Sequence, residues 1–215
     1  DRLRFGDAML DAGFLAMDLD RVGARDLAEA FLAAYRDFSG DDAPSSLVHH
    51  YIGYRALVRS KVTAIRAEQS RSVGADARHA LELADRAVDA LLRARVRLVL
   101  VGGVSGSGKS TLAAPLAESL GAELLRSDVL RSDVVTPDVP AGAGAGGDDD
   151  DAGARPVGGR YSHEAVSAVY ARMLDRAGDL LALGRSVVLD ATWLDPRRRA
   201  EAETVAADAH AELVE

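Results

Sequence analysis

Eight consecutive residues, Gly103-Val104-Ser105-Gly106-Ser107-Gly108-Lys109-Ser110, constrain this chain more than any other feature. They fit G-x-x-x-x-G-K-[ST] and lie between an apolar run, Val96 to Val101, that reads as a strand and a helix-patterned run, Ser110 to Leu120. Glycines suit such a loop because several backbone N–H groups must converge on phosphate oxygens in conformations where a Cβ clashes. Lys109 is one of two lysines in 215 residues, so its place in the pattern is no by-product of a lysine-rich surface. The reading assigns it to the β and γ phosphates of a nucleotide. Gly103, Ser105, Gly106, Ser107, Gly108 and Thr111 complete the cradle, Ser110 offers a hydroxyl to Mg²⁺, and the following helix aims its positive end at the same anion.

The remaining chain divides around this loop. Residues 1–94 are rich in Ala, Arg and Leu and read as consecutive helices. One spans Ala24 to Phe38 and is broken by Ser39 to Pro44; a second restarts at Ser45 or Ser46; a third begins with an N-cap at Asp76. From 95 to 215 strands and helices alternate, which favours a parallel sheet flanked by helices, an α/β fold behind an all-helical subdomain. Its strands are Arg97 to Val101, Ala122 to Arg126 and Val187 to Leu189, with a fourth starting at Glu212. Pro115 should kink the first helix of this half. Residues 137–159, with Pro, Gly, Ala and the acidic run Asp148 to Asp151, predict a mobile insertion that cannot bury enough apolar surface to order. A helix capped by Ser162 follows, with Val166, Val169, Tyr170, Met173, Leu174, Ala177, Leu180 and Leu181 along one face. Pro196 to Ala209 forms the last helix.

Two acids stand at predicted strand ends. Asp128, in Leu125-Arg126-Ser127-Asp128, falls at the sheet edge where open α/β folds bind substrates, and a carboxylate there can accept the proton of an acceptor hydroxyl. The alternative is that Asp128 caps the next helix; Asp133 is a rival for the base. Arg131, one turn on, is the candidate substrate ligand. Asp190 closes the strand Ser186 to Leu189 and suits a Mg²⁺-orienting acid, or else binds only backbone groups in a turn. Arg197, Arg198 and Arg199 read as a solvated basic face, the alternative being that they neutralise phosphate charge. Arg55 and Arg59 share the helical stripe of Val48, Tyr51 and Val62 and are expected in ion pairs, the alternative being ligands for an anionic substrate. Adjacent His49 and His50 point about 100° apart on a helix and read as surface histidines, not ligands.

Composition removes other classes. With 26 basic and 34 acidic residues the formal charge is −8, which disfavours nucleic-acid coating and adhesion to anionic membrane. No cysteine is present, so there is no disulfide framework, thiolate zinc site or cysteine nucleophile. No run approaches about 18 apolar residues and no signal-peptide pattern opens the chain, so a cytoplasmic protein is expected. The first residue, Asp1, points to a stretch of a longer chain.

The phosphate loop, Arg126-Ser127-Asp128 through Arg131, and Asp190-Ala191-Thr192 together resemble the small-molecule kinase branch of P-loop proteins, which includes gluconate-kinase-like, polynucleotide-kinase-like and zeta-toxin-like enzymes. The likeness spans about 97–215 and implies ATP as donor with Mg²⁺, and Asp128 as base toward a hydroxyl. Asp1 to Asp7, Phe14 to Leu19 and Tyr54 to Val62 resemble the C-terminal helices of aminoglycoside-phosphotransferase-like kinases. The whole therefore looks like part of bacterial two-part proteins that join such a domain to a P-loop domain. In that family the His-Gly-Asp loop and metal-binding Asp would precede residue 1, so no catalytic residue is carried onto 1–94. The expected activity is phosphotransfer from Mg-ATP to a small-molecule hydroxyl. A non-catalytic ATP-binding regulatory module is the alternative, and a 5′-end nucleic-acid kinase is disfavoured by charge.

Overall fold

The computed structural model describes residues 6–70, 74–134 and 163–215. The expected insertion at 137–159, its acidic run and the Ser162 cap lie outside the described residues. Contacts divide the chain into two compact units, 1–96 with 183–185, and 97–182 with 186–215.

The first unit is helical: α1 (Ala8–Arg21), α2 (Arg25–Ser39), α3 (Ser45–Ser70) and α4 (Ala75–Arg93). Asp7 starts α1 by accepting the Met9 N–H at 2.9 Å, which satisfies one of the orphan donors of a helix start. Met9, Ala12, Gly13, Ala16 and Met17 recur at three- and four-residue spacing and form its buried stripe. Burying Met9 completely contributes on the order of 2 kcal/mol. Gly40, at φ 67°, ends α2 in the left-handed conformation. The helix start expected at Asp76 is displaced: α4 begins at Ala75 after Gly74, and Asp76 sits in the first turn, where its charge still favours the helix dipole.

Arg55 and Arg59 are ion-paired, the former to Asp11 at 3.2 Å and the latter to Asp18 at 2.5 Å. Each guanidinium also lies 5.1 Å from the centre of the Phe14 ring, so α1 and α3 share a cation–π clamp as well as charge pairs. His50 is exposed, whereas His49 is partly buried. Burial, then the charges of Arg93, Arg36 and Arg25, hold the His49 pKa below its ordinary 6.5.

The second unit carries β1 (Arg97–Val101), α5 (Lys109–Leu120), β2 (Glu123–Arg126), α6 (Ser127–Val134), α7 (His163–Ala182), β3 (Val187–Asp190), α8 (Pro196–Asp208) and β4 (Glu212–Val214). The sheet is wholly parallel, in the order β2-β3-β1-β4. The apolar runs explain this: Leu98 to Val101 and Val187 to Leu189 are buried throughout, as strands covered on both faces must be. Val99, Val101 and Val188 pack against Ala113 and Ala117 of α5. By strand alternation Leu98, Leu100 and Leu189 face the other way, and α7 packs on the sheet there. Helix α5 runs unbroken through Pro115.

Register fixes what stands at the working edge. Val101 pairs with Asp190, and Arg126 pairs with the same Asp190 across β2 and β3. The exits of all three strands are thus level, and the phosphate loop, the β3 acid and the start of α6 emerge side by side. Among the described residues no helix is long and apolar enough to cross a membrane.

Candidate functional site

The loop after β1 takes the conformations its glycines permit. Gly103, Gly106 and Gly108 have φ of 144°, 79° and 86°. A Cβ on Gly103 would lie 2.7 Å from Ser107 Oγ, a hydroxyl that can turn aside, so this position requires glycine for its angle above all. The Gly103 N–H donates to the Thr192 carbonyl at 3.1 Å, which fastens the loop to the segment after β3. Lys109 opens α5, and its Nζ reaches back to the Val104 carbonyl at 2.7 Å, spanning the loop. Ser105, Ser107 and Thr111 are exposed along the same turn, and Ser110 is partly buried. The first N–H groups of α5 add the partial positive charge of a helix start.

Asp190 is 5% exposed and lies beside Ser110, whose hydroxyl donates to Asp190 Oδ2 at 2.6 Å. Arg126 Nε stands 3.5 Å from the same oxygen. A buried carboxylate needs such partners, since desolvating an unpaired charge is prohibitive. Hydroxyl and carboxylate together form an oxygen donor pair of the kind a hard divalent cation takes, next to the lysine of the loop.

Asp128 sits at the second position of α6, with its side chain 80% exposed and Arg131 Nη1 4.0 Å away. Arg131 is itself 20% exposed. Both therefore occupy the same sheet edge as Asp190, on the neighbouring strand exit. The side chain of Asp133 is outside the described residues. Of the three consecutive arginines only Arg197 is exposed. The expectation of a solvated face fails for the other two: Arg198 bonds Ser167 Oγ at 2.6 Å and lies over the Tyr170 ring, and Arg199 donates to the Trp193 carbonyl at 3.1 Å.

Sequence reasoning missed the group behind the loop. Tyr170, buried on α7, places its hydroxyl 2.9 Å from Thr192 Oγ1, and its ring meets Trp193 edge-on at 5.2 Å. In the sequence Tyr170 is one more member of an apolar helical stripe; the polar tip of a stripe tyrosine was the available signal.

A parallel sheet with a glycine-rich phosphate loop between β1 and the next helix, and an acid at the end of the adjacent strand, defines a P-loop nucleotide-binding domain. Residues 98–214 match the model of the AAA domain family, more than half of the chain, and the chain belongs to that family. It is also 44% identical, over its entire length, to uncharacterized proteins of Mycobacterium tuberculosis and Mycobacterium bovis. It spans 41% of the length of these relatives.

Proposed function

We propose that the α/β unit is an ATP- and Mg²⁺-dependent phosphotransferase that moves the γ-phosphoryl group to a hydroxyl of a small molecule. The observation that carries this is the Ser110–Asp190 hydrogen bond, set between the lysine of the phosphate loop and the helix that presents Asp128. The loop amides and Lys109 hold the β and γ phosphates. Ser110 and Asp190 would hold Mg²⁺, which when bound neutralises charge on the phosphate oxygens. Asp128 accepts the proton of the acceptor hydroxyl as that oxygen attacks phosphorus and the bond to the β-phosphate bridge oxygen breaks. Exposure suits this role, because the base must meet a substrate arriving from solvent. Arg131, one turn along, orients the acceptor.

The helical unit fits the C-terminal part of an aminoglycoside-phosphotransferase-like domain. Two of the segments carrying that likeness, 14–19 and 54–62, lie in α1 and α3 and meet through Phe14, Arg55 and Arg59. No catalytic role is given to it.

The test is transfer of labelled γ-phosphate from Mg-ATP into a fractionated metabolite extract by the whole protein, beside Lys109→Ala and Asp128→Asn. A labelled small molecule absent with both variants is the expected result. Binding of Mg-ATP that Lys109→Ala abolishes, with no label transferred, would replace this reading with the regulatory module.

A further inference from the structure

Helix α7 supplies no residue to the site described above, yet one of its side chains governs the segment beside the phosphate loop. Tyr170 is 5% exposed, gripped between Trp193 on one side and the Arg198 guanidinium 5.1 Å from its ring centre. Its hydroxyl oxygen accepts the Thr192 N–H at 3.2 Å and the Trp193 N–H at 3.4 Å. A phenol has one proton and two acceptor positions. With both positions taken by backbone donors, the phenolic proton is directed to Thr192 Oγ1, 2.9 Å away. Thr192 therefore accepts from Tyr170, and its own hydroxyl proton is left to donate elsewhere.

Where that proton serves follows from the neighbours. Thr192 is exposed, lies two residues beyond Asp190, and accepts the Gly103 N–H of the phosphate loop through its carbonyl. Trp193 is held at φ 49°, a conformation that bulky residues rarely adopt. Three bonds hold it there: Nε1 to the Leu189 carbonyl at 3.2 Å, Arg199 to its own carbonyl, and its N–H to Tyr170. Over-determined strain of this kind concentrates at sites that must be held in place. Gly102 leaves the Trp193 Cβ space that a Cβ of its own would restrict to 3.3 Å.

We propose that Thr192 is a γ-phosphate ligand and Tyr170 its positioning residue, which fixes the Thr192 hydroxyl as a hydrogen-bond donor to a γ-phosphoryl oxygen. This rests on the reading that the loop binds Mg-ATP. Thr192 follows Asp190 out of β3, is exposed, and is tied to the phosphate loop through the Gly103 N–H, the position from which a hydroxyl donor would meet the outermost phosphate beside the Ser110–Asp190 pair. ADP lacks that partner.

Titration calorimetry with Mg-ATPγS and with Mg-ADP would test it on the whole protein and on Thr192→Val, Thr192→Ser, Tyr170→Phe and Tyr170→Phe/Thr192→Val. Thr192→Val should weaken the triphosphate about tenfold, the scale of a lost hydrogen bond to a charged group, and leave Mg-ADP unchanged. Thr192→Ser should restore the affinity. Tyr170→Phe should weaken the triphosphate selectively but less, and the double variant should match Thr192→Val alone. Equal losses for both nucleotides, or no loss with Thr192→Val, would overturn the proposal. Wild-type protein that binds neither nucleotide would instead fail the reading beneath it, and Lys109→Ala serves as the control for that case.

Discussion

Replacing Gly103 with alanine isolates how much of the phosphate loop depends on backbone angle alone. Two costs compete. The added Cβ meets Ser107 Oγ at 2.7 Å, but that atom is a hydroxyl that turns away about χ1, and the next neighbour, Lys109 Cγ at 3.5 Å, is an ordinary contact. The angle cannot turn away: φ of 144° at a non-glycine residue costs about 1–3 kcal/mol. A free loop escapes this strain by leaving its conformation, so the competent fraction falls about 5- to 150-fold and the apparent Kd for Mg-ATP rises by that factor. Calorimetric titration measures the factor, and a urea melt followed in parallel should show a smaller change, since the strain is released locally. The double variant Gly103→Ala/Ser107→Ala separates the causes. If angle dominates it binds as poorly as the single variant. Recovery of wild-type affinity in the double variant, or no loss in the single one, would refute the reasoning.

Asp190→Asn should leave weak metal-free nucleotide binding in place but lose most of the gain that added Mg²⁺ brings, because an amide is a poorer ligand for a hard cation; titrations with and without Mg²⁺ measure this. Gly53→Ala in α3 should destabilise the protein although alanine favours helix by about 1 kcal/mol. Its Cβ would stand 3.0 Å from Leu91 Cγ and 3.2 Å from the Ala87 carbonyl, and overpacking of about 1–3 kcal/mol outweighs the propensity gain in a denaturant melt. The folded pKa of His49 lies below the unfolded value near 6.5, so the unfolded chain takes the proton first. Stability from this residue is level above that pH and declines as pH falls through it, and urea melts between pH 7.5 and 5 should show a flatter profile for His49→Gln.

Much of the α/β unit was legible because its signals are local. The glycines and lysine of 103–110 carry their own backbone requirement, and the apolar runs at 97–101 and 187–189 are continuous because both faces are covered. Strand order was not legible: nothing near Val187 says that it will lie between β1 and β2, since that is decided by pairing over long separations. The same limit hid the brace behind the loop. Tyr170 and Thr192 are 22 residues apart, and an apolar-stripe reading of α7 treats the tyrosine as bulk. Arg198 and Arg199 looked solvated because a run of charges carries no mark of the ring and carbonyl they find across the fold. At Asp76 the error was one of competition, for an acid one residue inside a helix and an acid capping it have the same composition.

The level exits of β1, β2 and β3 have a further consequence for how this sequence can change. Because β3 lies between the other two, removing one residue from Val187 to Leu189 would shift Asp190 against Ser110 and Arg126 at once and turn its side chain to the opposite face. No local repair is open to a four-residue strand with both edges taken. Sequence drift here is confined to exchanges of side chain at constant length, so descendants of this chain should tolerate Val, Ile and Leu interchange at 187–189 while insertions and deletions gather in the segments between strands and helices.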